Sequence, residues 1–330
     1  MASTPLARRC IFWLAVPALL ASASVAPGAR SAHAHATISR IVFTRDIGGI
    51  PELFTIGADG RGLRQLTNTA YGAEHAAWSP DGKKLVFVLR GLSTGLIYRM
   101  DSDGGGLRRL SPPCRGGCIG DGFPNYSPRG SKIVFERDFA ERSGGAIGVA
   151  LFTVSSEGSD LTQLTPVRRT TEDHEAQWLH NGKIAFTRLV TGGADAGAGA
   201  LFEIDSDRTH LRQLTQFSRN YPSDAKWSPN GKAILFDTYS DAEPSKPTNL
   251  FTMSPDGTNE KQLTYFTGTT IKAFAGAWSP DGNWIVWHQS GPGTRSQLFL
   301  MNRRGQHLSQ LTQLPAGAKP QSPPWAAPAN

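Results

Sequence analysis

The sequence predicts an all-β protein, a six-bladed β-propeller of four-stranded antiparallel blades whose C-terminal strand completes the first blade. Three observations carry this. A turn made of an aromatic residue followed by Ser-Pro-Asp-Gly appears at 78–82, 227–231 (with Asn for Asp) and 278–282, with weaker copies at 126–130 and 178–182. Successive copies stand about 50 residues apart, the period of radial or stacked repeats. A closing Leu-Thr pair recurs at Leu66-Thr67, Leu164-Thr165, Leu214-Thr215, Leu263-Thr264 and Leu311-Thr312, with Leu110-Ser111 in the second repeat, which makes six blades. The two ends also complement each other: the first repeat lacks its aromatic strand, and the chain finishes with a spare segment around Pro323-Pro324-Trp325.

Each repeat reads the same way. Its first strand ends in the aromatic residue, and the turn follows because Pro presets φ, Asp caps its own backbone and Gly accepts positive φ. The second strand is an apolar, mostly β-branched or aromatic run: Ile41-Val42-Phe43, Leu85-Val86-Phe87, Ile133-Val134-Phe135, Ile184-Ala185-Phe186, Ile234-Leu235-Phe236 and Ile285-Val286-Trp287. A third strand begins near Leu53, Leu96, Leu151, Leu201, Leu250 and Leu298 and ends at a turn such as Asp103-Gly104 or Asp256-Gly257. The fourth closes on Leu-Thr. Four short strands with turn signals between them make one propeller blade. A first blade completed from the C-terminus leaves the ring without an exposed edge.

The first residues stand outside this pattern. Arg8-Arg9 precede an apolar run from Ile11 through Leu20 and an Ala-rich stretch, the layout of a secretory signal peptide. Ala34-His35-Ala36 places cleavage after residue 36, with Ala21-Ser22-Ala23 as a second choice. The arginine pair leaves general secretory and twin-arginine export both open. Residues 1–36 carry three Arg and no acid, so the formal charge falls from +7 to +4 without them. No dense Lys/Arg block remains, which argues against nucleic acid as a partner. Residues 37–330 read as one all-β domain, exported to the periplasm or secreted, with no membrane span after the signal and monomeric.

The aromatic-Ser-Pro-Asp-Gly turn, the following Lys-x-(Ile/Leu)-Val-Phe strand and the Asp-Gly-x-x-x-(Arg/Lys)-Gln-Leu-Thr ending together resemble TolB-like propeller repeats. The resemblance covers essentially all of residues 37–330. It implies the six-bladed fold and, in that family, an additional α/β domain ahead of the propeller, for which this sequence leaves no room between signal and first blade.

The topology sorts the loops. The two Gly-containing turns of each repeat share one face, and the connections at 137–150, 188–200 and 237–249 lie on the other, where they read as long irregular loops and a binding surface. Two residues before each aromatic stands a small residue or Pro (Ala76, Pro124, Ala176, Ala225, Gly276, Pro323), as crowding near the axis requires. Glu74, His75, Asp121, Asp173, His174, Glu175 and Asp224 sit beside these positions and ring the channel mouth, with Arg45, Arg137 and Arg188 ending second strands on the same face. Such a funnel suits a cation or a basic partner; salt bridges to the arginines are the alternative. Some metal-dependent lyases resemble this architecture and use channel histidines, which makes His75 and His174 the candidate metal ligands of an alternative polysaccharide-lyase reading.

Cys114 and Cys118 would form a local disulfide outside the cytoplasm, the two glycines between them allowing a tight ring. Zinc would need two more ligands. Gly91-Leu92-Ser93-Thr94-Gly95 has nucleophile-elbow spacing without the strand-turn-helix that an elbow needs. Asp101-Ser102-Asp103-Gly104 starts like a calcium loop but lacks the later Glu. The expected function is therefore a non-catalytic binding or scaffold module with no cofactor, although a bound cation fits. It would recognise a protein or peptide, with a glycan as a further possibility.

Overall fold

The computed structural model describes residues 40–91, 94–112, 117–140, 145–238, 247–267, 271–291 and 294–314. They form six antiparallel sheets arranged as a β-propeller, and no helix occurs among them. Blade 2 (Ala73–Trp78, Lys84–Arg90, Gly95–Asp101, Arg108–Arg109) sets the pattern that blades 3 to 6 repeat, four strands in simple up-and-down order. Blade 1 shows three strands, Arg40–Ile47, Ile50–Gly57 and Arg64–Gln65. The segment expected to supply its innermost strand, 315–330, lies outside the described residues, as does the expected signal peptide.

The packing follows from the second strand of each blade, which has a neighbouring sheet on both faces. Alternate side chains of a strand point to opposite faces. Leu85 and Phe87 accordingly pack toward blade 1, with Val42 and Leu53. Val86 and Val88 pack toward blade 3, with Ile133 and Phe135. The same division recurs around the ring, so the apolar core is six separate layers, one at each blade-to-blade interface. The layer formed by Ile41 and Phe43 of blade 1 with Val286, Leu298 and Leu300 of blade 6 closes the ring through side-chain packing.

Both turn motifs are hydrogen-bonded devices. In the first, the Ser79 hydroxyl donates to Asp81 Oδ1 (2.6 Å) and accepts from Lys84 N (2.9 Å), while Gly82 sits at φ 67°. In the closing motif, the Thr hydroxyl accepts the amide of the third strand's Leu, as Thr215 Oγ1 does from Leu201 N at 2.9 Å. Thr67, Thr165, Thr264 and Thr312 repeat the bond, and Ser111 makes it to Ile97 N at 3.0 Å. The preceding Gln folds its amide onto the Thr carbonyl, Gln213 Nε2 donating at 2.7 Å. The outermost strand pairs through two residues only, and these side chains supply the bonds that a longer ladder would have made.

Two of the expected long loops are largely ladder. Blade 3 extends its second and third strands to Lys132–Ala140 and Ala146–Ser155, pairing Arg137 with Ala150 and Ala140 with Ala146. In blade 4 pairing reaches Leu189 and Gly199, which leaves only 191–198 as a loop. Polar and charged residues hid these extensions, because backbone pairing continues past the apolar layer. Residues 239–246 of the third connection lie outside the described residues.

Candidate functional site at the channel mouth

Every described first strand carries a β-bulge at the same place: between Glu74 and Ala77, Gly122 and Asn125, His174 and Gln177, Ser223 and Lys226, and Phe274 and Ala277. The bulged residue is left-handed in four blades, His75 (φ 52°), Phe123 (46°), Glu175 (56°) and Asp224 (49°). A left-handed non-glycine residue costs of the order of 1–3 kcal/mol and needs surrounding structure to hold it. The bulge re-aims the side chain, and all four of these residues line one cavity of about 220 Å3. From the bulges its wall runs on toward the turn end of the first strands, through Asn125, Gln177, Lys226, Trp227, Pro229 and Trp278. His75 lies flat against Phe123, ring centroids 3.8 Å apart, and its buried Nδ1 has no hydrogen-bond partner among the described residues.

Behind the cavity runs a chain of carboxylates that satisfies the strained backbone. Glu136 accepts the amide of Glu175 at 3.1 Å, and Glu175 accepts the amide of Asp224 at 3.1 Å. Gly122 faces Glu136 across the ladder, and a Cβ there would come within 2.9 Å of its Oε1, so a larger residue would have to displace the Glu136 carboxylate. His174 bridges Glu136 (3.4 Å) and Glu172 (3.1 Å). Burial alone would lower its pKa, but the hydrogen bonds to Glu136 and Glu172 prevail and lift it to about 10, so His174 is an imidazolium. Glu172 is held below its ordinary value by its hydrogen bond with His174. Burial, then the charge of Asp224, pushes Glu175 up to about 7; burial, then Glu136, pushes Asp138 up to about 6. Burial lowers the pKa of His75.

The sequence-derived candidates thus fall into two groups. His75, Glu175 and Asp224 meet at the cavity. Asp121 with Arg137 and Asp173 with Arg188 form buried bidentate salt bridges of 2.6 and 3.0 Å, and 2.6 and 2.9 Å, set back from it. Each of these arginines also lies over aromatic rings of its own blade, Arg188 at 4.6 Å from the Phe202 centroid. Glu74 pairs with Arg90 at 2.5 Å. Arg45 lies 5.1 Å over Phe54, and its Nε has no hydrogen-bond partner among the described residues. Cys118 opens blade 3's first strand, while Cys114 lies outside the described residues.

Sequence reasoning missed Glu136, Phe123 and Lys226. Glu136 sits within an apolar second strand, and Phe123 and Lys226 look like core or surface residues until the bulge turns the strand. The repeat spacing was the available signal, since Phe123 stands three residues before Tyr126 as His75 stands before Trp78.

His174, as it is held here, offers no ligand to a metal ion. Both nitrogens of the His174 imidazolium face carboxylates, which leaves it no lone pair for a metal. Among the described residues no group of three or more His, Cys, Asp or Glu is arranged to hold a metal ion.

No protein-family model and no curated protein sequence matches the chain. Solved structures do. TolB from Acinetobacter baumannii is similar with a TM-score of 0.68 at 19% identity, over 87% of this chain and 66% of that one. A putative TolB from Agrobacterium tumefaciens has a TM-score of 0.60 at 20% identity, over 85% of this chain and 91% of that one. An oligogalacturonate lyase in complex with manganese is similar at a TM-score of 0.55 and 15% identity, over 82% of this chain and 73% of that one. These likenesses show the fold, a propeller of the kind found in TolB.

Proposed function

We propose that this propeller is a non-catalytic, exported binding or scaffold module that engages a protein or peptide in the cell envelope through its mouth face. The observation that carries the reading is a set of exposed apolar and aromatic residues on that face. Ile47, Tyr71, Ile119, Phe217 and Tyr265 are 41, 48, 47, 41 and 72% exposed. They come from the blade-to-blade connections, a hairpin end and the start of a first strand, which the topology brings to the end of the ring where the first strands begin. Exposed apolar and aromatic side chains gathered on one face match the composition of protein interfaces. The likeness to the two TolB propellers supports the same reading. Export rests on the signal-like segment 1–36, and the disulfide between Cys114 and Cys118 belongs to the proposal.

The test is cross-linking from purified residues 37–330 in an envelope extract, with identification of what is captured. Phe217→Ala with Tyr265→Ala is expected to abolish capture while leaving the thermal midpoint unchanged. Capture that survives these changes and Glu175→Ala would overturn the mouth-face reading. Metal content decides the lyase-like alternative: a stoichiometric ion lost on His75→Ala with His174→Ala would favour it over the binding module.

A further inference from the structure

The face opposite the mouth has its own exposed apolar residues, and they share one repeat position. Leu63, Leu107, Leu161, Leu211 and Leu308 each directly precede the last strand of their blade and are 46, 57, 38, 46 and 60% exposed. Three residues further on, Leu110, Leu164 and Leu311 are buried, so these strands do have a covered side. The backbone explains the exposure. The residue before each exposed leucine is left-handed: Gly62 (φ 65°), Gly106 (62°), Asp160 (57°), His210 (53°) and His307 (56°). It closes the hairpin and leaves the next side chain uncovered. In blade 5, Asn259 (φ 56°) does the same for Glu260. Scattered single apolar residues are ordinary on a surface. Five at one position of six blades instead form a ring on one face.

The same face holds the net charge. Its turn and closing-strand segments (57–65, 79–84, 101–109, 127–132, 155–163, 179–183, 205–213, 228–233, 254–262, 279–283 and 302–310) contain fifteen Lys and Arg against eleven Asp and Glu. That leaves +4, the whole net charge of residues 37–330. Arg61, Lys83, Arg129, Lys232, Arg303 and Arg304 are exposed and have no ion-pair partner among the described residues. Cations of this kind on the same face as uncovered leucines match the two components of interfacial membrane binding: apolar side chains at the headgroup–acyl boundary and basic ones at anionic headgroups.

We infer that the leucine-and-arginine face rests on an anionic lipid surface, so that the mouth points away from the membrane. The inference concerns a different face from the proposed partner site and stands or falls independently of it. The test is co-sedimentation of residues 37–330, the span of the propeller unit, with vesicles of phosphatidylglycerol and phosphatidylethanolamine, and with vesicles of phosphatidylcholine alone. Binding is expected to the anionic vesicles only and to be lost at high salt. Leu107→Gln with Leu211→Gln and Leu308→Gln is expected to reduce the bound fraction about fivefold or more, as is Arg303→Glu with Arg304→Glu. The thermal midpoint of each variant shows that the fold is kept, and Phe217→Ala on the mouth face is expected to bind as the parent does. No sedimentation with anionic vesicles, or equal sedimentation of the leucine variant, would overturn the inference. A lipid-independent dimer that the leucine variant abolishes would also overturn it, and would assign the ring to a second copy of this chain.

Discussion

Asp173 and Arg188 show what a buried charge does in this ring. Each satisfies the other through two hydrogen bonds, and aromatic faces cover the guanidinium. Removing one partner strands an uncompensated charge, so Asp173→Ala is expected to cost about 3–5 kcal/mol in urea denaturation. Asp173→Leu with Arg188→Met should recover most of that loss. His174 gives a pH signature of its own. Its folded pKa, about 10, lies above its ordinary 6.5, so its contribution is complete below 6.5 and is lost as pH rises toward 10. Glu175 and Asp138 also lose stability with rising pH, but between their ordinary values and about 7 and 6. Buried His288, lowered to about 4, acts in the opposite sense, with stability lost as pH falls from 6.5 toward 4. The interval from pH 7 to 10 therefore isolates His174, and His174→Gln is expected to flatten the fall of the urea midpoint there.

At the scale of the element, the closing Leu-Thr motif is a hydrogen-bond substitute for a longer fourth strand. Thr312 shows it most fully: its hydroxyl accepts from Leu298 N at 2.9 Å and donates to Gln297 Oε1 at 2.7 Å, both buried. Thr312→Val keeps the volume and leaves these groups unsatisfied, so the expected loss is about 1–3 kcal/mol by chemical denaturation, and Thr312→Ser is expected to retain most of it. The bulge is the second element-scale device. It was not legible, because no residue type marks it: His, Phe, Glu and Asp all occupy the left-handed position. Only the regular spacing before the aromatic pointed to those sites; His75, Glu175 and Asp224 stood out there as titratable residues, whereas Phe123, at the same spacing, reads as core.

At the scale of the molecule, blades 1 and 6 close the ring through the layer around Ile41, Phe43, Val286 and Leu298. Blade 1 has three described strands, and the sequence assigns its fourth to the C-terminal segment. Removing residues 315–330 is therefore expected to lower the urea midpoint and broaden the transition, since the inner edge of blade 1 would lose its partner. An unchanged midpoint would refute closure by this segment.

The repeat itself determined the architecture from sequence alone. Aromatic-Ser-Pro-Asp-Gly turns, apolar triplets and Leu-Thr endings are local chemistry, and each specifies its strand or turn without knowledge of the rest of the chain. The triplets even encode the packing, because Leu85 and Phe87 must face one neighbour and Val86 the other. The site was decided by the tertiary structure. Whether a charged residue near the mouth faces the cavity or pairs behind it depends on a bulge in its own strand and on a partner on the neighbouring strand or one blade away. Asp173 and Glu175, two residues apart, end in a salt bridge and in the cavity wall respectively. A sequence displays residue types and spacing; which charge is neutralised and which is left to meet a partner is settled only when the blades come together.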